Sequence, residues 1–354
     1  MFKLFIRRLI AIPATLLVIT AVLYGTTMLA PVESRAQLYL PRGSRPFMSP
    51  EQMQNAINRV IKQHGLRDPF PVQYARWASR LVRGEWGWSP VLRSDVTDAL
   101  LARTPATAEL TLYSLLVLIP LGLVNGVLAA WKQGRLPDRG FRALAYAATS
   151  IPPFILGLVL MAVFYVGLHW FPPGRLSTLT HLDLRMSSFK TITGLLTIDG
   201  LLNGRLDITL EALRHLVLPV ITLSLLHWAT LGRVTRAAMI EALNKEYIVA
   251  ARSRGLANRT IIWRHAFLNA APPALTSTAL AAASIVTGVY VVEAVFAFPG
   301  VSQLITRGMS YTPDTALAVG FAVYSVLAVL LIMFALDVVQ AIINPYLREE
   351  MTRA

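Results

Sequence analysis

The 354-residue chain contains no cysteine, which excludes disulfides, thiol catalysis and thiolate metal sites. Charge is scarce too: 15% of the residues are Asp, Glu, Lys or Arg, where an ordinary soluble domain has about a quarter. Only five lysines occur and none follows a glycine, so no phosphate-cradling G-x-x-x-x-G-K-[ST] loop is present. The six histidines (His64, His169, His181, His215, His227 and His265) show no H-E-x-x-H spacing. His215 and His227 stand about 18 Å apart along a helix at ~1.5 Å per residue, too far to share a metal; both read as interfacial or satisfied interior side chains. No catalytic residue, metal-ligand set or cofactor bound by this chain is expected.

What the chain has instead is apolar sequence. Hydrophobic residues make up 55% of it, in blocks long enough to cross a bilayer, where about 20 residues are needed. An all-α polytopic membrane protein follows, because helices satisfy their own backbone hydrogen bonds in lipid. Six spans are expected, at 9–30, 108–131, 142–169, 214–232, 270–292 and 316–343. The first follows Lys3, Arg7 and Arg8 and has the look of a signal peptide. Its run of about 22 residues is nearer a span than a short h-region, and Pro31 makes a poor cleavage junction, so an uncleaved helix is expected. In the third, Ile151-Pro152-Pro153 removes backbone donors and predicts a kink.

The net charge of +14 invites a nucleic-acid reading, but its distribution does not support one. Of 33 Lys and Arg, 16 fall in four stretches that alternating topology puts on one side: the N-terminus, Lys132 to Arg142, Arg233 to Arg264, and Arg348 with Arg353. This is positive-inside topology. Both termini are expected in the cytoplasm, with no nucleic-acid partner.

About 75 polar residues separate the first two spans. Ser49-Pro50-Glu51-Gln52 predicts a helix start with a capping box. Met53, Ala56, Ile57, Val60 and Ile61 mark one apolar face, and Gly65 supplies the stop. A second amphipathic piece is expected over 72–82, then Trp86 and Trp88 at the interfacial belt. This segment carries 11 Lys and Arg on the outer side; long loops are largely exempt from the charge rule. The later outer connection, 171–214, contains a turn and a short re-entrant or interfacial helix over 193–202.

Ionisable residues inside spans are functional candidates by default. Here Glu109, Glu293 and Asp337 sit near span ends, and Glu109 and Asp337 read as helix-terminal or interhelical partners. Without a midplane carboxylate or broken-helix ion site, a proton- or sodium-coupled carrier loses its engine. The polar, cationic loop from Arg233 to about 268 is the natural contact for an external energy source. One reading makes it an ordinary topology-retaining loop on lipid headgroups. The other makes it a docking surface, because small and apolar residues (Ala250, Ala251, Gly255, Leu256) are set among its charges.

Val249-Ala-Ala-Arg-Ser-Arg-Gly255-Leu, followed by Trp263-Arg-His265-Ala-Phe-Leu-Asn269-Ala, resembles the EAA loop of ABC importer permeases, most closely the oligopeptide/dipeptide/nickel branch. Arg7-Arg8, Gly65-Leu66, Pro71-Val-Gln-Tyr74, Arg76-Trp77, Leu81-Val-Arg-Gly84, Pro105-Ala-Thr-x-Glu109, His215-Leu-x-Leu-Pro219 and Glu293-x-Val295-Phe296-x-x-Pro299-Gly300 are similar to further signatures of that branch. The Glu that names the loop has no clear counterpart; Glu246 is nearby. Tyr311-Thr-Pro313-Asp314 and the tail Asn344-Pro345-Tyr-Leu-Arg348 also depart from the branch's pattern.

The resemblance implies a type I importer fold in a prokaryotic inner membrane: a first span plus external helical segment (1–105), a type-1 transmembrane domain (106–346) and a cytoplasmic tail (347–354). It implies a second permease, two ATPase subunits that use ATP and Mg, and an external solute-binding protein. The coupling residues would be Glu246, Tyr247, Ala250, Ala251, Arg252, Arg254, Gly255, Leu256, Arg264 and His265. Trp86, Trp88, Pro172, Gly174, Arg175, Phe298, Pro299 and Gly300 would dock the binding protein. Peptide is the expected substrate, with oligosaccharide or nickel as alternatives; a proton-coupled carrier and a non-transporting scaffold are the rival classes.

Overall fold

The computed structural model describes residues 2–37, 39, 49–89, 91–310 and 314–343. Among them the fold is all-α; strand is confined to a two-residue antiparallel ladder, β1 (Trp88–Ser89) against β2 (Ser94–Asp95). Four helices are long and apolar enough to cross a membrane: Val96–Trp131, Leu206–Leu243, Asn258–Val295 and Ala316–Leu336. A shorter apolar helix, Ala11–Thr27, lies within α1 (Phe2–Thr27). The kink expected in the third span falls at the expected place and is a full break. Leu136–Ser150 (α6) and Pro153–Gly167 (α7, Pro153–Leu160, with a π-helical continuation over Met161–Gly167) are bent by 102° across Ile151-Pro152. Two successive prolines supply no N–H to the preceding turn, and the helix breaks there.

The chain divides into two compact units. One comprises residues 2–101 and 304–327. In it α2 (Val32–Gln37) packs on α3 (Pro50–His64) around Ala36, Ile57, Ile61 and Leu66. The α3 start is the expected capping box: Gln52 N–H donates to Ser49 Oγ, and the Ser49 N–H donates to Gln52 Oε1. Gly65, at φ 58°, ends the helix. Next, α4 (Phe70–Val82) sends Gln73 back to Leu66 O and Asp68 O, and Arg35 reaches the same carbonyl. Asp314 accepts from Ser89 Oγ at 2.6 Å, tying the ladder to the later segment.

The other unit comprises residues 102–303 and 328–343 of the described chain. Its central element is α10 (Leu206–Leu243), which is 61% buried across its most apolar window, against 33% for α5 (Val96–Trp131). It packs on α13 (Phe267–Val295), on α6 and α7, and on the short α9 (Leu196–Leu202). The core joins Leu110, Leu118, Leu216, Leu223, Leu231, Ile285, Val289, Phe296 and Phe298. Backbones approach closely where α5 meets α10: a Cβ on Gly126 would strike the Gly232 carbonyl and Thr235. Small residues permit such contact in lipid, where packing rather than water exclusion drives association.

Candidate functional site

The basic loop is helical over most of its length, as its helix formers lead one to expect. The helix of α10 runs on to Leu243, α11 (Glu246–Ser253) follows, and helix resumes at α12 (Asn258–Thr260) and a π-helical turn (Ile261–Ala266) that leads into α13. Within α11, Ile248 and Ala251, three residues apart, are buried. They join Val127, Ala130, Met239, Ala242, Ile261, Ile262, Ala266 and Ala270 in one apolar cluster. Residues three and four apart share a helix face. The opposite face, with Glu246, Tyr247, Ala250 and Arg254, is therefore exposed.

The end of α11 is a Schellman motif: Leu256 N–H donates to Ala251 O and Gly255 N–H to Arg252 O. Gly255 holds φ 71°, a left-handed angle that glycine reaches without strain. Arg252 lies over the Trp131 ring, 6.0 Å from its centroid. Leu256 and Arg264 are exposed and His265 half-buried, and Asn269 Nδ2 donates to His265 O at 2.7 Å. The patch expected to present a short helix does hold one. Sequence alone does not show that Ala251 faces inward, whereas Tyr247, Ala250, Arg252, Arg254 and Leu256 are exposed.

At the opposite end of the same unit, three buried carboxylates organise the loops. Glu109, fully buried, accepts from Arg175 Nε at 2.9 Å and a terminal nitrogen at 2.6 Å, and from Thr197 N–H and Oγ at 2.8 and 2.7 Å. It is an interhelical partner, as its position near a span end predicts. Arg175 also donates to Gly194 O. Glu293, also fully buried, accepts from Thr107 Oγ at 2.5 Å, from Ser302 N–H at 2.9 Å and from Ser302 Oγ. Asp199 accepts from Ile192, Thr193 and Gly194 N–H and from Thr193 Oγ. Burial pushes its carboxyl upward, but the four donors outweigh that and hold it below the usual carboxylate range.

These networks decide what the proposed docking residues do. Phe298 and Gly300 are buried, which removes them from direct contact. A side chain at Gly300 would run into the Glu293 carboxylate, so the Pro-Gly turn is a lid over that group. Arg175, Pro172, Gly174 and Pro299 are half-buried; Gly174 N–H donates to Phe296 O at 2.8 Å, and Arg103 donates to Pro299 O at 3.2 Å. In the other unit Trp88 is 57% exposed, while Trp86 is half-buried and donates to Leu81 O. The side chain of Asp337, Tyr311 to Pro313 and the tail after 343 lie outside the described residues. No group of three or more His, Asp or Glu able to hold a metal occurs among the described residues.

Sequence reasoning passes over one further pair: Asp138, buried at the start of α6, and Arg236 on α10, joined by two hydrogen bonds. A lone carboxylate at the edge of an apolar block is the signal that marks it.

A family model described as the binding-protein-dependent transport system inner membrane component matches residues 122–349. The chain belongs to that family. Among its relatives, the di/tripeptide transport system permease of Pseudomonas aeruginosa is 33% identical over 86% of this chain and 87% of its own length. The dipeptide permease of Alkalihalophilus pseudofirmus is 29% identical over 97% and 98% of the two chains. The oligopeptide permease of Bacillus subtilis is 30% identical over 84% and 87%. Family membership accounts for the combination of apolar helices and a cationic helical loop: this is a membrane component of a transporter that works with a binding protein.

Proposed function

We propose that this chain is the permease subunit of an ATP-driven importer and forms half of a translocation pathway for di- or oligopeptides. The observation that carries the reading is α11. It is a short helix seated on an apolar bed by Ile248 and Ala251, presenting Tyr247, Ala250, Arg252, Arg254 and Leu256 outward. Such a helix transmits a push from a docked protein, because its buried face is packed against the ends of two long apolar helices. The names of the relatives support peptide over oligosaccharide or nickel.

In this reading two ATPase subunits, using ATP and Mg, engage α11 from the cytoplasm. A second permease completes the pathway, and an external solute-binding protein delivers the substrate. The chain hydrolyses nothing itself. Residues 1–105 form the first span and an external segment, 106–346 the transmembrane domain and 347–354 a cytoplasmic tail, both termini being cytoplasmic. Trp88 in one unit and, separately, Pro172, Arg175 and Pro299 in the other contact the binding protein, with Phe298 and Gly300 buried beside Pro299. Selectivity resides in the binding protein, since well-discriminating sites need a few precisely placed polar groups.

Reconstitution in lipid tests this. Peptide uptake and ATP hydrolysis should both require the cognate binding protein. Uptake driven by a proton gradient without ATPases establishes a carrier instead, and absence of uptake under every condition a scaffold. Topology has its own test: a cysteine placed at Asn258 should resist an impermeant thiol reagent in intact cells, whereas cysteines within 49–89 should react.

A further inference from the structure

Asp138 lies in the first turn of α6 and is 1% exposed. Its oxygens are fully engaged. Arg236 on α10 donates from Nε at 2.6 Å and from a terminal nitrogen at 2.9 Å, and Gly134 N–H donates at 2.8 Å. Arg142 stands one turn further along α6, 3.9 Å away. One carboxylate thus joins the turn after α5, the start of α6 and the far part of α10.

Its surroundings are tight. A side chain at Gly232 would meet the Phe141 ring of α6, and one at Gly126 would meet α10 itself. One and two turns beyond Arg236, Met239 and Ala242 belong to the apolar bed that holds Ile248 and Ala251 of α11. Packing is therefore continuous from α11, through the ends of α5 and α10, to α6. At its other end α6 stops at the 102° break before α7. A hollow of about 180 Å³ lies there, lined by apolar side chains including Leu144, Ile151, Leu156, Leu225 and Trp228. Tight packing thus lies on one side of the break at Ile151-Pro152-Pro153, and open space lies beside it.

A buried ion pair is a weak choice for stability alone, since apolar residues of similar volume often serve as well. It does provide direction. A two-pronged guanidinium–carboxylate fork fixes rotation and register, and slippage would strand a charge without a partner. Apolar faces slide at less cost.

We infer that Asp138 and Arg236 form a positioning pair that makes α11, the adjoining ends of α5 and α10, and α6 move as one body, delivering displacement of α11 to the break before α7. The inference rests on the importer reading above. It is tested in the assembled complex in lipid by Asp138→Asn, Arg236→Lys and the exchange Asp138→Arg with Arg236→Asp. The readouts are ATPase co-purification and peptide taken up per ATP hydrolysed.

The single variants should retain their ATPase subunits and hydrolyse ATP while uptake per ATP falls at least about tenfold. The exchange should recover a substantial part of the loss. Unchanged uptake per ATP in either single variant overturns the proposal. So does a loss of complex in both that leaves the surviving complex fully coupled, or failure of both to accumulate, because the pair then serves folding only. If Asp138→Asn alone fails to accumulate, Arg236→Lys, which keeps the charge and removes the fork, decides. A wild-type complex without ATP-dependent uptake would refute the importer reading itself, a separate result.

Discussion

The two ends of the central unit use charge in opposite ways. At the end built by Glu109, Glu293 and Asp199, carboxylates are drawn inside and saturated with donors from distant segments: Thr197 lies 88 residues from Glu109, and Thr107 186 residues from Glu293. Around α11 itself, beyond the buried Asp138–Arg236 pair, cations stay outside and small apolar residues go in. Ala242, Ala251, Ala266 and Ala270 are buried, while Arg252, Arg254, Arg259 and Arg264 are exposed. The first arrangement fixes loops in place, because each buried carboxylate penalises any movement that strips a donor away. The second leaves a firm seat under a surface that another protein can read.

Breaking the carboxylate end should cost most. Glu109→Ala leaves Arg175, 13% exposed, without its partner, and loss of one member of a buried pair costs about 3–5 kcal/mol. A large drop in the thermal midpoint of the purified complex in detergent is expected; an unchanged midpoint would show that water reaches this site. Next comes Asp199, whose folded carboxyl lies below its unfolded value. Its stabilisation is therefore fully present above the ordinary carboxylate range and is lost as pH falls through that range towards the depressed folded value. Hydrogen bonds to a charged group contribute about 1.5–3 kcal/mol. Midpoints of wild type and Asp199→Asn should thus differ at neutral pH and converge in acid.

Gly300→Ala should destabilise by about 1–3 kcal/mol, the usual range for overpacking, because the new methyl meets the Glu293 carboxylate. The comparison is sharpest at Gly255→Val. A left-handed angle costs a residue with Cβ about 1–2 kcal/mol, confined here to the exposed turn after α11. Insertion should be unchanged and the thermal midpoint should fall by no more than that local cost, while ATPase co-purification or uptake falls; normal co-purification and uptake would remove the turn from the docking surface. The smallest effect is a gain. Ala297 holds φ 50° where Phe298 N–H closes the end of α13 on Glu293 O at 2.9 Å. Ala297→Gly relieves that strain, so a midpoint rise equivalent to about 1 kcal/mol or less is expected.

The same contrast explains what was legible in the sequence. The α11 end was visible because its information is local: a basic run, small residues at helical spacing and one glycine stop, all within a dozen positions. The capping box before α3 was equally plain, since Ser49 and Gln52 find each other within one turn. Glu109 and Glu293 were visible only as charges beside apolar blocks, and Asp138 was passed over. Their partners Thr197, Ser302 and Arg236 carry no mark that distinguishes them from other polar residues, and Arg175 was expected at a docking surface rather than on Glu109.

Composition and periodicity alone determined that this chain is all-α, that it is built on membrane-length apolar helices, and that it carries a cationic helical patch between two of them. Hydrophobic blocks, proline pairs and caps act over one or two turns, so the sequence carries them directly. Only the tertiary structure decided that the third apolar block folds back by 102°, that Phe298 and Gly300 lie beneath the surface, and which donors each buried carboxylate holds. Those outcomes depend on segments far apart in the chain meeting in an interior where an unpaired charge is too costly to persist.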